Sequence, residues 1–496
     1  MSLLWNDNEW TFPLIDKVYK EIEQIGVGEM GLDIFPNQIE VISSDQMLDA
    51  YASHAMPVMY KHWSFGKSYS VNKKLYENGQ QGLAYEVVIN SNPCIAYLME
   101  DNTMTMQALV MAHASIGHNN FFKTNYLFQQ WTDPDGIIDY LIFAKNYVAK
   151  CEERYGAERV EEVLDSCHAL MDQGMDRFKR ARKRSRQEEK LRAAEREAYH
   201  QSRVSELWPD TWKSETPAQK EERKKRILPE PEDNILYFIE KNSPILEPWE
   251  REIVRIVRKV SQYFWPQMQT QVGNEGWATH THYFIMNRLY EKGLISDGSL
   301  LEFFKSHTGV IAQYRMQRLN PYCLGFNIFR DIKRMCEKPT DEDREWFPDL
   351  VGMNWLEAAK DARENYKDES LILQYLSPKV IRDLKLFSIL DDYGTDSMNY
   401  IVQNIHDREG YKEVRRSLSR NYDINMRIPQ IQVSDVNVDG DRKLILRHTR
   451  HNYVPLDQAD LKETLLHVRR LWGFAVRLDF YNPGAVSPTD WVAVGE

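Results

Sequence analysis

Apolar positions recur at helical spacing over most of this chain. Ile15, Val18, Tyr19, Ile22 and Ile25 form a first stripe, and Gly26 is placed to end that helix. Asp133-Pro134 predicts an N-cap followed by proline at the first helical position, with a helix through Ile138, Leu141, Ile142 and Val148. Another helix is expected over residues 158–171. Ile253, Ile256, Val257, Val260 and Phe264 make a further amphipathic stripe. Asn320-Pro321 and Ser377-Pro378 each open a helix, and Thr340 with Asp343 resembles a capping box. The period changes to two in only a few places. Residues 83–90 read as a short strand. Near the C-terminus, Ile431 to Val438 and Lys443 to Arg447 alternate on either side of an Asp439-Gly-Asp turn, which predicts a hairpin. A helix over Leu461–Leu471 and a strand from Gly473 follow. The expected fold is mainly α, a bundle-like helical body with a short strand element, plus a small C-terminal α+β module of ββαβ order. There is no internal repeat and no Gly-rich phosphate loop, so no nucleotide cofactor is expected.

Length adds a domain expectation. At 496 residues the chain exceeds one ordinary core. Composition divides it into a helical region over 1–176, a charged helix and linker over 177–232, a helical region over 233–395 and a C-terminal module over 396–496. Residues 177–186 carry seven basic side chains in ten and no interleaved aromatic stacking pattern. They read as a solvated helix face or as a docking strip for an acidic partner, and poorly as a single-strand nucleic-acid groove. The net charge of −11 argues against general binding to nucleic acid or anionic membrane. Five cysteines, with no C-x-x-C, point away from a disulfide framework or a Cys-rich zinc site and toward a reducing compartment. No signal-peptide pattern and no membrane span are read, so a cytoplasmic protein is expected.

Two segments carry candidate chemistry: His113-Ala-Ser-Ile-Gly-His118 and Asn274-Glu-Gly-Trp-Ala-Thr-His-Thr-His282. Imidazole plus carboxylate is the donor set that zinc and similar divalent metals prefer. On an α-helix Glu275 and His282 lie within about 40° of one another. His113 and His118, five residues apart, diverge by about 140° on an ideal helix. They share a direction only through a π-bulge or a helix end, which Gly117 permits. The HExxH pattern of zinc peptidases is absent, because Ala114 stands where the base would be. The candidate ligands are His113, His118, Glu275 and His282, the last as fourth ligand or as support to another ligand. Glu86, on the expected strand, is the candidate replacement base, although a strand glutamate is more often exposed or salt-bridged. A buried Glu–His network without metal is the competing reading of the same residues.

The same segments carry a family resemblance. Pro36-Asn-Gln-Ile-Glu40, Tyr60-Lys-His-Trp-Ser-Phe-Gly-Lys67, Tyr85-Glu-Val-Val-Ile-Asn-Ser-Asn-Pro93, Gly117-His-Asn-Asn-Phe-Phe-Lys123, Asn274-Glu-Gly-Trp-Ala278 and Asn320-Pro-Tyr-Cys-Leu-Gly-Phe326 occur in order, with Trp472-Gly-Phe near the end. Together they resemble the stage V sporulation protein R (SpoVR) family. The resemblance implies a cytoplasmic bacterial protein linked to spore cortex formation or to stress and stationary-phase physiology. It also implies a PrkA-like serine protein kinase and a von Willebrand A-like protein as partners. Glu-Gly-Trp-Ala is similar, more loosely, to a segment of gluzincin-like peptidases. Two functions follow as expectations: a regulatory partner of the kinase system, or a metal-dependent, gluzincin-like hydrolase acting on an amide or peptide, with zinc as the expected metal. Between Gln313 and Asn320 the chain is short and basic where some relatives are expected to carry a longer loop, so their substrates do not transfer.

Overall fold

A computed structural model describes residues 3–53, 56, 58–78, 86–179, 191–192, 194–195, 198–199, 231–313, 319–387, 389–392, 399–402, 405–438, 440–451 and 455–495. Most of the basic strip and linker expected over 177–232, and the short segment after Gln313, lie outside the described residues. The chain forms two compact units, Met1–Ala149 with Tyr263–Ile424, and Lys150–Gln262 with Asn425–Glu496. Each is assembled from two separated stretches, at boundaries different from the linear ones drawn from composition. Periodicity tells which face of a helix is buried, but not which distant helix covers it.

In the first unit, helix α1 (Phe12–Glu23) is capped by Thr11 and buries Ile15, Val18 and Ile22. It does not stop at Gly26. A π-helical turn over Gln24–Glu29 continues it, and the left-handed residue is Gly31, at φ 66°. Gly26 serves packing instead: a Cβ there would sit 2.6 Å from Ile116 Cγ2. Strands β1 (Asn37–Ile42), β2 (Glu86–Ile89) and β3 (Cys94–Met99) form a sheet in the order β1-β3-β2. β3 pairs parallel to β1 and antiparallel to β2. Only β2 was expected. β3, Cys-Ile-Ala-Tyr-Leu-Met, is a continuous apolar run, which suits a covered central strand but has no readable period. The helix expected from Pro134 begins three residues later, at Ile137, because the Pro134 carbonyl accepts from the Asn92 amide within a turn.

Helix α2 (Met104–Val110), capped by Thr103, is buried along its whole length and runs directly into a π-helix over Met111–His118. Helices α3 (Gln271–Glu291), α4 (Asp297–Val310) and α5 (Pro321–Glu337) follow. Ser296 caps α4 and Asn320 caps α5, the latter as expected. The Thr340–Asp343 capping box and the helix opened by Ser377-Pro378 are also present. α3 is buried on nearly every side and packs on the π-helix and α5 above all. Glycines make this closeness possible. A Cβ on Gly117 would lie 2.6 Å from Ala278 Cα, and one on Gly325 would lie 2.1 Å from the Val272 carbonyl oxygen and 2.6 Å from Gly276 Cα. The α3–α5 crossing is therefore backbone on backbone. The buried Asp368 carboxylate accepts from the Val272 and Gly273 amides, both at 2.9 Å, and satisfies the first turn of α3. A short antiparallel pair, β4 (Ile389–Asp392) and β5 (Asn399–Val402), lies late in this unit.

The second unit holds the expected C-terminal module. β6 (Ile431–Val436) and β7 (Leu444–Thr449) form the hairpin, helix α6 (Gln458–Trp472) crosses over, and β8 (Val476–Tyr481) returns parallel to β7. A fourth strand, β9 (Asp490–Val494), pairs antiparallel with β8 and extends the expected ββαβ to ββαββ. Gly473, at φ 91°, ends α6 in the left-handed conformation. α6 packs on the helix Ala157–Ala169. Of the expected stripe, Ile253, Ile256, Val257 and Val260 are fully buried, as the period requires, and Phe264 is half-buried. All five cysteines are buried and free. Among the described residues, no helix is long and apolar enough to cross a membrane.

Candidate metal centre

The candidate site lies wholly within the first unit, where β2, the π-helix, α3, α4 and α5 each contribute a side chain. The π-helix resolves the spacing of the two histidines. Its i→i+5 bonding brings residues five apart toward one face, so His113 and His118 converge, with ring centroids 4.6 Å apart. β2 delivers Glu86: its Oε1 is 3.2 Å from His113 Nε2. One ligand atom from each of Glu86, His113 and His118 lies within 4.8 Å of the others. α3 delivers Glu275, whose Oε2 is 3.3 Å from His118 Nε2 and 3.6 Å from His113 Nε2. The imidazoles are 4–5% exposed but the two carboxylates about one-fifth, so the cluster opens on its carboxylate side.

The hydrogen bonds behind the imidazoles decide which nitrogen faces the cluster. Asn274 Oδ1 accepts from His118 Nδ1 at 2.8 Å. A neutral His118 then has a bare lone pair on Nε2, aimed at a carboxylate oxygen. Two lone pairs at 3.3 Å repel unless a proton or a cation lies between them. His113 Nδ1 lies 2.9 Å from His282 Nδ1, and His282 Nε2 lies 2.9 Å from His307 Nδ1. With protons running outward along this chain, His113 Nε2 is bare and a ligand. With protons running inward, it carries the proton toward Glu86. Oε2 of Glu86 and Oε2 of Glu275 are both buried without a hydrogen bond of good geometry.

The electrostatics of the cluster without a cation follow from this crowding. Burial would depress His118, but the Glu275 carboxylate overcomes it and lifts the imidazole to about 9. Burial would raise Glu275, but His118 and His113 hold it well below the usual carboxylate range. Glu86 is pushed up by burial, against the pull of His113 and His118. The Glu275 charge and burial push the Tyr322 phenol, on α5, well above its ordinary value, so it keeps its proton beside the site. Burial and the neighbouring imidazoles keep His282 neutral, far below the ordinary value, and His307 falls to about 4, mainly through burial.

The expected site residues are thus placed as follows. His113, His118 and Glu275 come together. Glu86, expected as a base apart from the ligands, sits in the cluster with the two histidines. His282, expected as a fourth ligand or as support to another ligand, stands behind His113 with both ring nitrogens engaged by other imidazoles, because α3 carries it two turns beyond Glu275, on the far side of the His113 ring. The sequence reading missed three supports. Asn274 and Tyr322 lay in segments already singled out. His307 had no signal at all, since it reaches the site only through the packing of α4 on α3. Trp277 forms wall, donating from Nε1 to Asn120 Oδ1 at 3.0 Å. The donor set of two imidazoles, two carboxylates and orphaned carboxylate oxygens fits a divalent ion.

Comparison with known proteins places the chain in a family. The family model described as SpoVR like protein matches residues 9–427, and the one described as SpoVR-like C-terminal domain matches residues 429–483. The chain is 55% identical over 480 residues, 96% of its length and 93% of the relative's, to a protein of Escherichia coli (strain K12) described as uncharacterized protein YcgB. No solved structure matches the chain. With the family models spanning both units and nearly every residue from the first helix to β8, the chain belongs to the SpoVR family.

Proposed function

We propose that this protein is a metal-dependent hydrolase of the SpoVR family, with Glu86, His113 and His118 holding a divalent ion, zinc by the chemistry of the donors. The observation that carries this reading is the convergence of donor atoms from Glu86, His113 and His118 at one buried point, with His118 Nε2 turned inward by the bond of its other nitrogen to Asn274 and the Oε2 atoms of Glu86 and Glu275 left without a hydrogen bond of good geometry. A divalent ion bound there would supply Lewis acidity, polarising an amide carbonyl and acidifying water. Glu275, kept ionised, is the base that takes a proton from the attacking water. Tyr322, kept protonated, is the donor to a developing oxyanion. The partial exposure of the two carboxylates leaves the approach for an amide. Behind the ligands, His282 and Asn274 orient His113 and His118.

The test is elemental analysis of the purified protein beside Glu86→Ala, His113→Ala and Glu275→Gln variants, followed by amide and peptide hydrolysis screens of the loaded forms. Near-stoichiometric metal that disappears in the first two variants and persists in Glu275→Gln, with hydrolysis lost in all three, supports the assignment. Absence of metal after reconstitution sinks it. The competing reading, a non-catalytic partner of a PrkA-like serine kinase and a von Willebrand A-like protein in sporulation or stress physiology, rests on the family resemblance. It predicts metal-independent co-purification with the kinase that Glu275→Gln does not alter.

A further inference from the structure

We infer that the second unit carries a separate binding site for a small aliphatic ammonium group. A cavity of about 380 Å³ lies between the turn after the helix Ala157–Ala169, the segment leading into β6, the end of β7 and the start of α6. That volume is at the lower end of small-ligand sites. Its floor is aliphatic, with Met426, Ile431 and Leu461 among the lining residues and no Phe, Tyr or Trp among the described ones.

Two features give the cavity a chemical preference. The first is His448 on β7, 2% exposed and lining the cavity. Its Nδ1 lies 2.9 Å from the Gln430 carbonyl oxygen, which only accepts, so Nδ1 carries the proton. Its Nε2 is buried with no hydrogen-bond partner among the described residues. Burial and the nearby Arg450 and Arg177 keep the ring neutral, and Nε2 therefore presents a lone pair that needs a donor. The second is charge. Asp172, Asp457 and Asp460 line the cavity, and among the described residues no lysine or arginine does. Arg177 and Arg427 lie close enough to offset Asp172. Asp457 and Asp460 stand at the start of α6, whose first amides Asp457 already caps, so they add negative charge without leaving an anion site. A ligand that satisfies both features carries N–H donors and positive charge on a short apolar body. A free alkylamine and the end of a lysine side chain share that chemistry.

The test uses the full-length protein and n-pentylammonium chloride as probe, with ligand-observed NMR and calorimetry. Pentan-1-ol and pentanoate are the neutral and anionic counterparts, and Nα-acetyl-lysine methylamide is the lysine arm. Removing a hydrogen bond to a charged group is worth roughly tenfold in affinity. Saturable binding of pentylammonium is expected, about tenfold weaker in His448→Leu and several-fold weaker in Asp460→Asn. Asp460 is exposed, so its substitution reads the site even where His448→Leu fails to fold. Binding of the lysine analogue as well assigns a lysine side chain as the natural occupant, and binding of pentylammonium alone assigns a free amine. No binding, equal binding of pentan-1-ol, or affinity unchanged in Asp460→Asn overturns the inference.

Discussion

Replacing Gly325 by alanine tests whether the site depends on the close crossing of α3 and α5. In an open helix this change stabilises by up to about 1 kcal/mol, because alanine loses less backbone entropy on folding. Here the new methyl would lie 2.1 Å from the Val272 carbonyl oxygen and 2.6 Å from Gly276 Cα, both backbone atoms that cannot rotate away. Restoring an ordinary contact of about 3.4 Å requires the helices to part by roughly 1 Å, with packing lost along the interface. Overpacking of this kind costs about 3 kcal/mol, and for a unit of this size that lowers the melting temperature by roughly 5 °C. The movement also reaches the chemistry. Gly276 lies two residues from Asn274, whose side chain orients the ligand His118, and metal-ligand distances tolerate only about 0.2 Å. Gly325→Ala is therefore expected to lose metal affinity as well as stability. The control is Gly66→Ala in the helix Trp63–Glu77, where a Cβ meets nothing within 4 Å and a small gain is expected. Thermal unfolding with a metal titration reads both effects. A Gly325→Ala protein as stable as wild type, with unchanged metal affinity, would refute the argument that this crossing sets the site.

Other expectations concern the supports around the site and the charge pairs of the first unit. His282→Ala leaves His113 Nδ1 without its partner and should weaken metal binding by about 10–100-fold while the ligands remain; affinity equal to wild type in a competitive chelator titration would remove His282 from that role. Asp343, 2% exposed, accepts a two-pronged bond from Arg334 at 2.6 and 2.7 Å. Burial alone would raise its carboxyl, but Arg334 and Thr340 bring it down to about 2. Because the folded value lies below the unfolded one of about 3.9, the pair's contribution of about 2 kcal/mol is present above pH 4 and lost as pH falls toward 2. Urea titrations should show Asp343→Asn less stable at pH 7 and flatter across that acidic window; a variant with the wild-type slope there would contradict it. Asp368→Ala uncaps the first turn of α3 and should cost about 1–2 kcal/mol in the same assay, whereas no loss would mean that other groups satisfy those amides.

What the sequence determined by itself is local. Asn320, Ser377 and the Thr340–Asp343 pair mark helix starts because a cap is a bond between side chain and backbone two or three residues apart. The hairpin of β6 and β7 and the crossover through α6 follow from period and turn chemistry within a few residues. The π-helix was legible only as one of two alternatives, a π-bulge or a helix end, since two histidines five apart converge in no regular α-helix. Only the tertiary structure decided the rest. Glu86 joins His113 because β2 is held at the edge of β3, and β3 itself had no readable period. His282 stands behind His113, with His307 behind it, because α3 and α4 pack there, and the sequence places no constraint on that meeting. The division into two units likewise rests on contacts between segments more than a hundred residues apart. Caps and periods are energies within one turn of chain. The site is a meeting of five elements, and its geometry is held by the shapes of Gly117, Gly276 and Gly325, which no local signal relates to one another.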